Sequence, residues 1–202
     1  VAEELNFGEL VGSELETGEY EVTIESQDTE ITRTVNLDRN RPYFLAVNNR
    51  ALNIGTTLIS QDANRDEDQA KARLVHLSPD LLSVSVDGDN GDSFSVDDLS
   101  YLETSNFSTL EPGDYTISVS ESGVGRASFE QEINLRENRT YTVFITGLKS
   151  SGATPDLRLI RVRDRLVQTE GNNDDNEDES SNGDQDSIRK DLSLVCRFED
   201  PE

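Results

Sequence analysis

Two stretches of this chain recur at nearly constant spacing, and that recurrence restricts the possible folds more than any other feature. Leu15-Glu16-Thr17-Gly18-Glu19-Tyr20 returns as Leu110-Glu111-Pro112-Gly113-Asp114-Tyr115 at an offset of 95, and Leu37-Asp38-Arg39-Asn40-Arg41-Pro42-Tyr43 returns as Leu135-Arg136-Glu137-Asn138-Arg139-Thr140-Tyr141 at an offset of 98. The three extra residues are expected in a hairpin around Ser122-Gly123-Val124-Gly125, where insertions are tolerated. The 202 residues thus read as two copies of one unit rather than one large domain.

Within each copy apolar residues alternate with polar ones, the period of half-buried strands in an antiparallel sheet. In the first copy Tyr20, Val22 and Ile24 share one face of a strand, residues 31–37 form the next, and Tyr43-Phe44-Leu45-Ala46-Val47 is apolar enough for a strand buried on both faces. Thr56-Thr57-Leu58-Ile59 ends the copy, and residues 62–71 are polar and aperiodic. The second copy predicts strands over residues 74–77, over Leu82, Val84 and Val86, and over residues 114–119, 140–146 and 157–162. Ser78-Pro79-Asp80 supplies one turn and Asp87-Gly88-Asp89-Asn90-Gly91 a hairpin turn, since Gly and Asn accept positive φ at little cost. Seven or eight short strands without a helical period imply an all-β fold, two immunoglobulin-like antiparallel β-sandwich domains in tandem. The expected division is 1–62 for an incomplete first sandwich, 63–71 for a junction, 72–165 for a complete second sandwich, 166–187 for an acidic linker and 188–202 for a C-terminal strand.

The copies do not match in extent. The first begins where the second has reached about Val96, so it lacks counterparts of the strands at residues 74–77 and 82–86. That deficit predicts an apolar acceptor groove lined by Tyr20, Val22, Ile24, Leu45 and Val47, beside an unpaired strand edge able to template another strand. A spare strand stands at the other end: Leu192, Leu194, Cys196 and Phe198 alternate strictly, and Leu194-Val195-Cys196-Arg197-Phe198-Glu199-Asp200 aligns with Leu74-Val75-His76-Leu77-Ser78-Pro79-Asp80 at an offset of 120. Three arrangements satisfy this pattern: the tail closes its own first copy, it enters the first copy of the next molecule to build a head-to-tail filament, or the chain is a fragment of a longer array.

The charge narrows the partners. Lys and Arg number 18 against 42 Asp and Glu, a formal net charge of −24 spread along the chain. Such a surface repels phosphate, which argues against nucleic acid and anionic lipid. Its self-repulsion is tolerable where molar salt shortens the Debye length to roughly 3 Å. With Arg favoured over Lys and both Met and Trp absent, the composition is that expected of a salt-loving microbe, an archaeon among them, with an ordinary acidic secreted protein as the alternative. One cysteine, Cys196, excludes an internal disulfide, no apolar run is long enough to span a bilayer, and a start at Val1 fits a processed, secreted chain.

Chemistry is not evident. His76, the lone histidine, reads as a hydrogen-bonded core residue rather than a base or ligand, because no second His or Cys accompanies it. Asp87 and Asp89 sit in a calcium-like run whose Asp92 stands where a calcium loop needs Gly, and Asp174 and Asp175 lie in an acidic stretch of eight acids and no Lys or Arg. All four are weak cation candidates, and no cofactor is expected. Asn106-Phe107-Ser108 and Asn138-Arg139-Thr140 are glycosylation sequons. No phosphate loop, catalytic triad or Cys/His cluster is present, so the chain is expected not to be an enzyme.

Ala72-Arg73-Leu74-Val75-His76-Leu77-Ser78-Pro79-Asp80, Val84-Ser85-Val86-Asp87-Gly88, Leu110-Glu111-Pro112-Gly113-Asp114-Tyr115-Thr116 and Tyr141-Thr142-Val143-Phe144 together resemble domain-of-unknown-function family 4397, well over residues 72–163 and over 5–59 for the later part of the domain. That resemblance implies β-sandwich modules, often in tandem, of secreted and surface proteins of bacteria and archaea, and it carries over no catalytic or binding residue. The expected function is an extracellular, non-enzymatic filament or pilus-like subunit that polymerises with itself by donating the strand Leu192, Leu194, Cys196 and Phe198. The alternative is a monomeric surface module for a carbohydrate or another ligand, its own tail completing its first copy.

Overall fold

The computed structural model describes residues 6–26, 29–49, 53–62, 64–91, 93–149, 155–164 and 191–195. All its regular elements are strands. The first copy contributes β1 (Leu10–Glu14), β2 (Gly18–Ser26), β3 (Thr29–Leu37), β4 (Tyr43–Asn48) and β5 (Gly55–Ser60). The second contributes β6 (Ala70–His76), β7 (Ser83–Asp89), β8 (Ser93–Ser100), β9 (Ser108–Leu110), β10 (Gly113–Glu121), β11 (Ala127–Leu135), β12 (Arg139–Thr146) and β13 (Arg158–Arg163). A last strand, β14 (Asp191–Val195), comes from the tail.

Four layers result. The outer sheet β11-β10-β7-β8 faces the inner sheet β13-β12-β6-β9. Val84, Val86, Tyr115, Ile117 and Val119 of the outer sheet meet Ala72, Leu74, Tyr141, Val143 and Ile145 of the inner one in a single core. Alternation explains it: each strand sends every second side chain to that core, and fully burying one such side chain is worth about 1.5–3 kcal/mol. The sheet β1-β14-β4-β5 covers the other face of the inner sheet, and the hairpin β2-β3 covers that sheet in turn. The result is sandwich-like throughout.

The copies therefore share a core. Phe44, Ala46 and Ile59 of the first pack on Val75, Leu77 and Phe144 of the second. The rings of Phe44 and Phe144 meet edge to face with centroids 5.4 Å apart, a geometry that adds about 0.5–1.5 kcal/mol to their burial. With one face against the inner sheet and the other against the hairpin, all six residues of β4 are buried, the polar Asn48 together with the apolar run Tyr43 to Val47 whose sequence predicts it.

Local details repeat as the sequence does. The Tyr20 hydroxyl donates to Glu16 O at 2.8 Å, and Tyr115 donates to Glu111 O at 2.8 Å. Asn40 and Asn138, at matching places in the turns before β4 and β12, hold φ of 56° and 55°, a left-handed conformation that Asn tolerates better than most residues. β2 ends at Ser26 and β3 begins at Thr29, whereas β10 ends at Glu121 and β11 begins at Ala127, so the three extra residues do fall in that hairpin.

Around β7 the chain departs from its apolar alternation in two places. Leu82 was expected inward with Val84 and Val86, but it lies in the loop before β7 and is 87% exposed, while Leu81 is buried. The expected turn at residues 87–91 is shorter, because β7 continues to Asp89 and pairs with β8 through Asp89↔Ser93. Gly88 is a strand residue there: a Cβ on it would come within 2.1 Å of the Phe94 ring, which occupies the space a side chain would fill.

Candidate strand-acceptor site

The site is the slot between β1 and β4, filled by β14. β14 runs antiparallel to β1, with Leu192↔Ser13 and Leu194↔Val11 as partners, and parallel to β4, with Leu192↔Tyr43 and Leu194↔Leu45. In the second copy β6 stands between β9 and β12 in the same way: Ala72↔Ser108 antiparallel and Ala72↔Tyr141 parallel. The two registers coincide. Moving Ala72 by the tail offset of 120 gives Leu192, moving Ser108 back by 95 gives Ser13, and moving Tyr141 back by 98 gives Tyr43. On both edges, then, β14 holds in the first copy the register that β6 holds in the second.

Three of the five expected groove residues come together. Ile24 of β2 and Val47 of β4 share a cluster with Ile54, with Val22 and Ile31 packed against it, and Leu45 is 1% exposed. Tyr20 stands half-buried at the rim. Closure is less complete than in the second copy, where β7 and β8 extend the sheet beside β10, and Tyr115 and Ile117, the counterparts of Tyr20 and Val22, are 1% and 0% exposed. Among the described residues nothing pairs with the free edge of β2. Of the donor residues, Leu192 and Leu194 belong to β14, whereas Cys196 and Phe198 lie outside the described residues.

The remaining candidates are dispersed. His76 is fully buried: Nε2 donates to Leu81 O at 3.0 Å and Nδ1 accepts from Ser78 N at 3.3 Å, which requires a neutral ring, and burial pushes its pKa below the ordinary value. Asp87 is exposed on β7, and the Asp89 carboxylate accepts from Gly91 N at 2.7 Å, closing the turn. Asp174 and Asp175 lie outside the described residues. Among the described residues no three His, Cys, Asp or Glu side chains converge as a metal site would require. No described helix is long and apolar enough to cross a membrane, a statement that leaves strand-built crossings untouched.

One polar cluster escaped the sequence reading. Where the copies meet, Arg73 Nη2 donates to Ser60 O at 2.5 Å and Nε to Thr142 Oγ1 at 3.0 Å, while Nη2 lies 3.7 Å from Asp164 Oδ2. Asp164 also accepts from Asp62 N at 2.9 Å and from Thr142 Oγ1 at 2.7 Å, and Asp62 pairs with Lys71 at 2.9 Å. Burial pushes the Asp164 carboxyl above the usual carboxylate range, against the pull of these donors. For Asp62 the cost of partial burial is outweighed by the Asn64 amide and Lys71, and its carboxyl falls below that range. The cluster ties Asp62, at the end of the first copy, to β6, β12 and the end of β13. Its one legible signal was Arg73, a cation set between Ala72 and the apolar pair Leu74 and Val75.

No curated protein matches the chain. The model of the domain of unknown function DUF4397 matches residues 1–87, which hold the first copy together with β6 and most of β7. The matched segment thus covers the later strands of one copy and the opening strands of the next, whereas the motif resemblance was fullest over residues 72–163. Residues 1–87 of this chain match the DUF4397 family.

Proposed function

We propose that the chain is a non-enzymatic structural protein of the cell exterior whose first copy is completed by a donated C-terminal strand, and that donation between molecules builds a head-to-tail polymer. The observation that carries this reading is the register of β14, which reproduces that of β6 on both neighbouring strands. The match of residues 1–87 to DUF4397 supports an extracellular or surface location. We read both copies as immunoglobulin-like, on the strength of the paired tyrosine hydrogen bonds Tyr20 to Glu16 and Tyr115 to Glu111.

A second reading rests on a specific observation: in the structure β14 and its slot belong to the same chain. Closure in cis gives a monomeric surface module, exchange in trans a filament, and the contacts are the same. Crosslinking separates them. One chain carries Ser13→Cys and another Leu192→Cys, both with Cys196→Ser, and the two are unfolded together and refolded in molar salt. Donation in trans yields a disulfide-linked pair of the two chains; a mixture that stays uncrosslinked, while the double variant crosslinks within one molecule, would leave only the monomeric module. Truncation after Ser187 supplies the complementary result, a folded second copy without polymer.

A further inference from the structure

We infer that Asn106 is the glycosylated asparagine of this chain and that Asn138, despite an equally good triplet, is not. The inference rests on the extracellular reading above only in requiring the chain to meet a sugar transferase; it is independent of strand donation. Asn106 is exposed in the connection at residues 101–107 between β8 and β9. Its own carbonyl accepts from Ser105 Oγ at 2.9 Å, while its side-chain amide makes no hydrogen bond within the described residues, and neither does the Ser108 hydroxyl that completes the triplet. Phe107 between them is held beneath the Arg73 guanidinium, 4.5 Å from its ring centroid. The middle residue is thus anchored and the asparagine amide stands open, while Ser108 is half-buried opposite Ala72 at the start of β9.

Asn138 is placed differently. It sits in the left-handed turn before β12 with φ of 55°, its Oδ1 accepts from Asp68 N at 3.3 Å, and its N donates to Gln69 O at 2.8 Å. Thr140, whose hydroxyl the transferase must engage, is 2% exposed and donates to Asn64 O at 2.7 Å. Presenting this triplet would require breaking the turn and the start of β12.

The donor class is an oligosaccharide joined through its first sugar carbon to a lipid phosphate. In the transfer the Asn106 Nδ2 forms a bond to that carbon, the carbon–oxygen bond to phosphate breaks, the lipid phosphate leaves with the electron pair, and the amide gives up one proton. Nothing is oxidised or reduced. The sugar would stand beside β9, the edge strand of the inner sheet, and would blunt that edge against pairing with another chain. The first copy has Val11 at the corresponding place, so its edge strand β1 carries no such guard.

The test is secretion of the full-length chain from a cell that N-glycosylates, followed by intact mass and peptide mapping. A sugar-sized mass increment is expected on the peptide holding Asn106, lost completely in Asn106→Gln and equally in Ser108→Ala, which spares the asparagine, and unchanged in Asn138→Gln. An unmodified Asn106 in the secreted protein overturns the inference, as does sugar on Asn138, which would mean transfer to a chain not yet folded. Failure here leaves the strand-donation reading intact, since the crosslinking test is made on unglycosylated protein.

Discussion

Arg73 and Asp164 lie 3.7 Å apart in the seam between the copies, with side chains 9% and 0% exposed. A buried pair of this kind is a modest source of stability while intact, because desolvation offsets much of the attraction, but removing one partner strands the other. Arg73→Met or Asp164→Asn is therefore expected to cost about 3–5 kcal/mol, and the paired change Arg73→Met with Asp164→Leu to cost less than either alone. Urea unfolding of the three variants in molar salt measures this.

The same seam sets opposed pH responses. The raised Asp164 pKa gives a contribution that is full below the ordinary carboxylate value and is lost as pH rises through the raised one. The lowered Asp62 pKa gives a contribution present above the ordinary value and lost as pH falls through the lowered one. Lys71→Gln should weaken the second effect alone, making acid unfolding below about pH 4 less steep while the profile above it keeps its shape.

His76 supplies a separate limb. Its ring is buried and neutral, with a pKa below the ordinary value, so the unfolded chain binds a proton more readily and stability is lost as pH falls from about 6.5 through the folded value. The slope approaches about 1.4 kcal/mol per pH unit at most. His76→Leu is expected to abolish this limb while costing about 1–3 kcal/mol at neutral pH, because Leu81 O and Ser78 N lose their partner. Melting temperature against pH at fixed salt distinguishes the two components.

Periodicity and repetition made the strands, the tail strand and the slot legible, because a period of two and a fixed offset are properties of the chain itself. Tyr43 to Val47 could be placed between two layers from composition alone. The seam could not: Thr142 reads as the polar position of an alternating strand until Asp164, 22 residues on, is seen accepting its proton. The frame of β7 failed for a related reason. Leu81 and Leu82 are both apolar, and only the loop after His76, whose ring donates to Leu81 O, decides which of them turns inward.

Salt should act on the whole molecule. With a net charge of −24, like-charge repulsion opposes the compact state and is screened only when the Debye length falls below the spacing of surface charges. The unfolding midpoint is expected to rise steeply between about 0.1 M and 1 M sodium chloride, over which the Debye length drops from about 10 Å to about 3 Å. A midpoint indifferent to salt would contradict the reading of this chain as one built for brine.

As an interior strand β14 is bonded to β1 on one side and β4 on the other, so proline at Leu194 removes a ladder donor where no solvent edge can absorb the loss. Leu194→Pro should therefore cost about 3 kcal/mol or more, confined to the first copy. Hydrogen exchange locates the effect: protection at Leu45 and Val11, the partners of Leu194, is expected to collapse, while Val143 and Phe144 of β12, held by β6 and β13, keep theirs. Unchanged protection in β1 and β4 would mean that the slot closes without its sixth strand, and β14 would then have no structural task. A collapse that spreads into β12 would instead show that the Phe44 and Phe144 contact makes the two copies one cooperative unit.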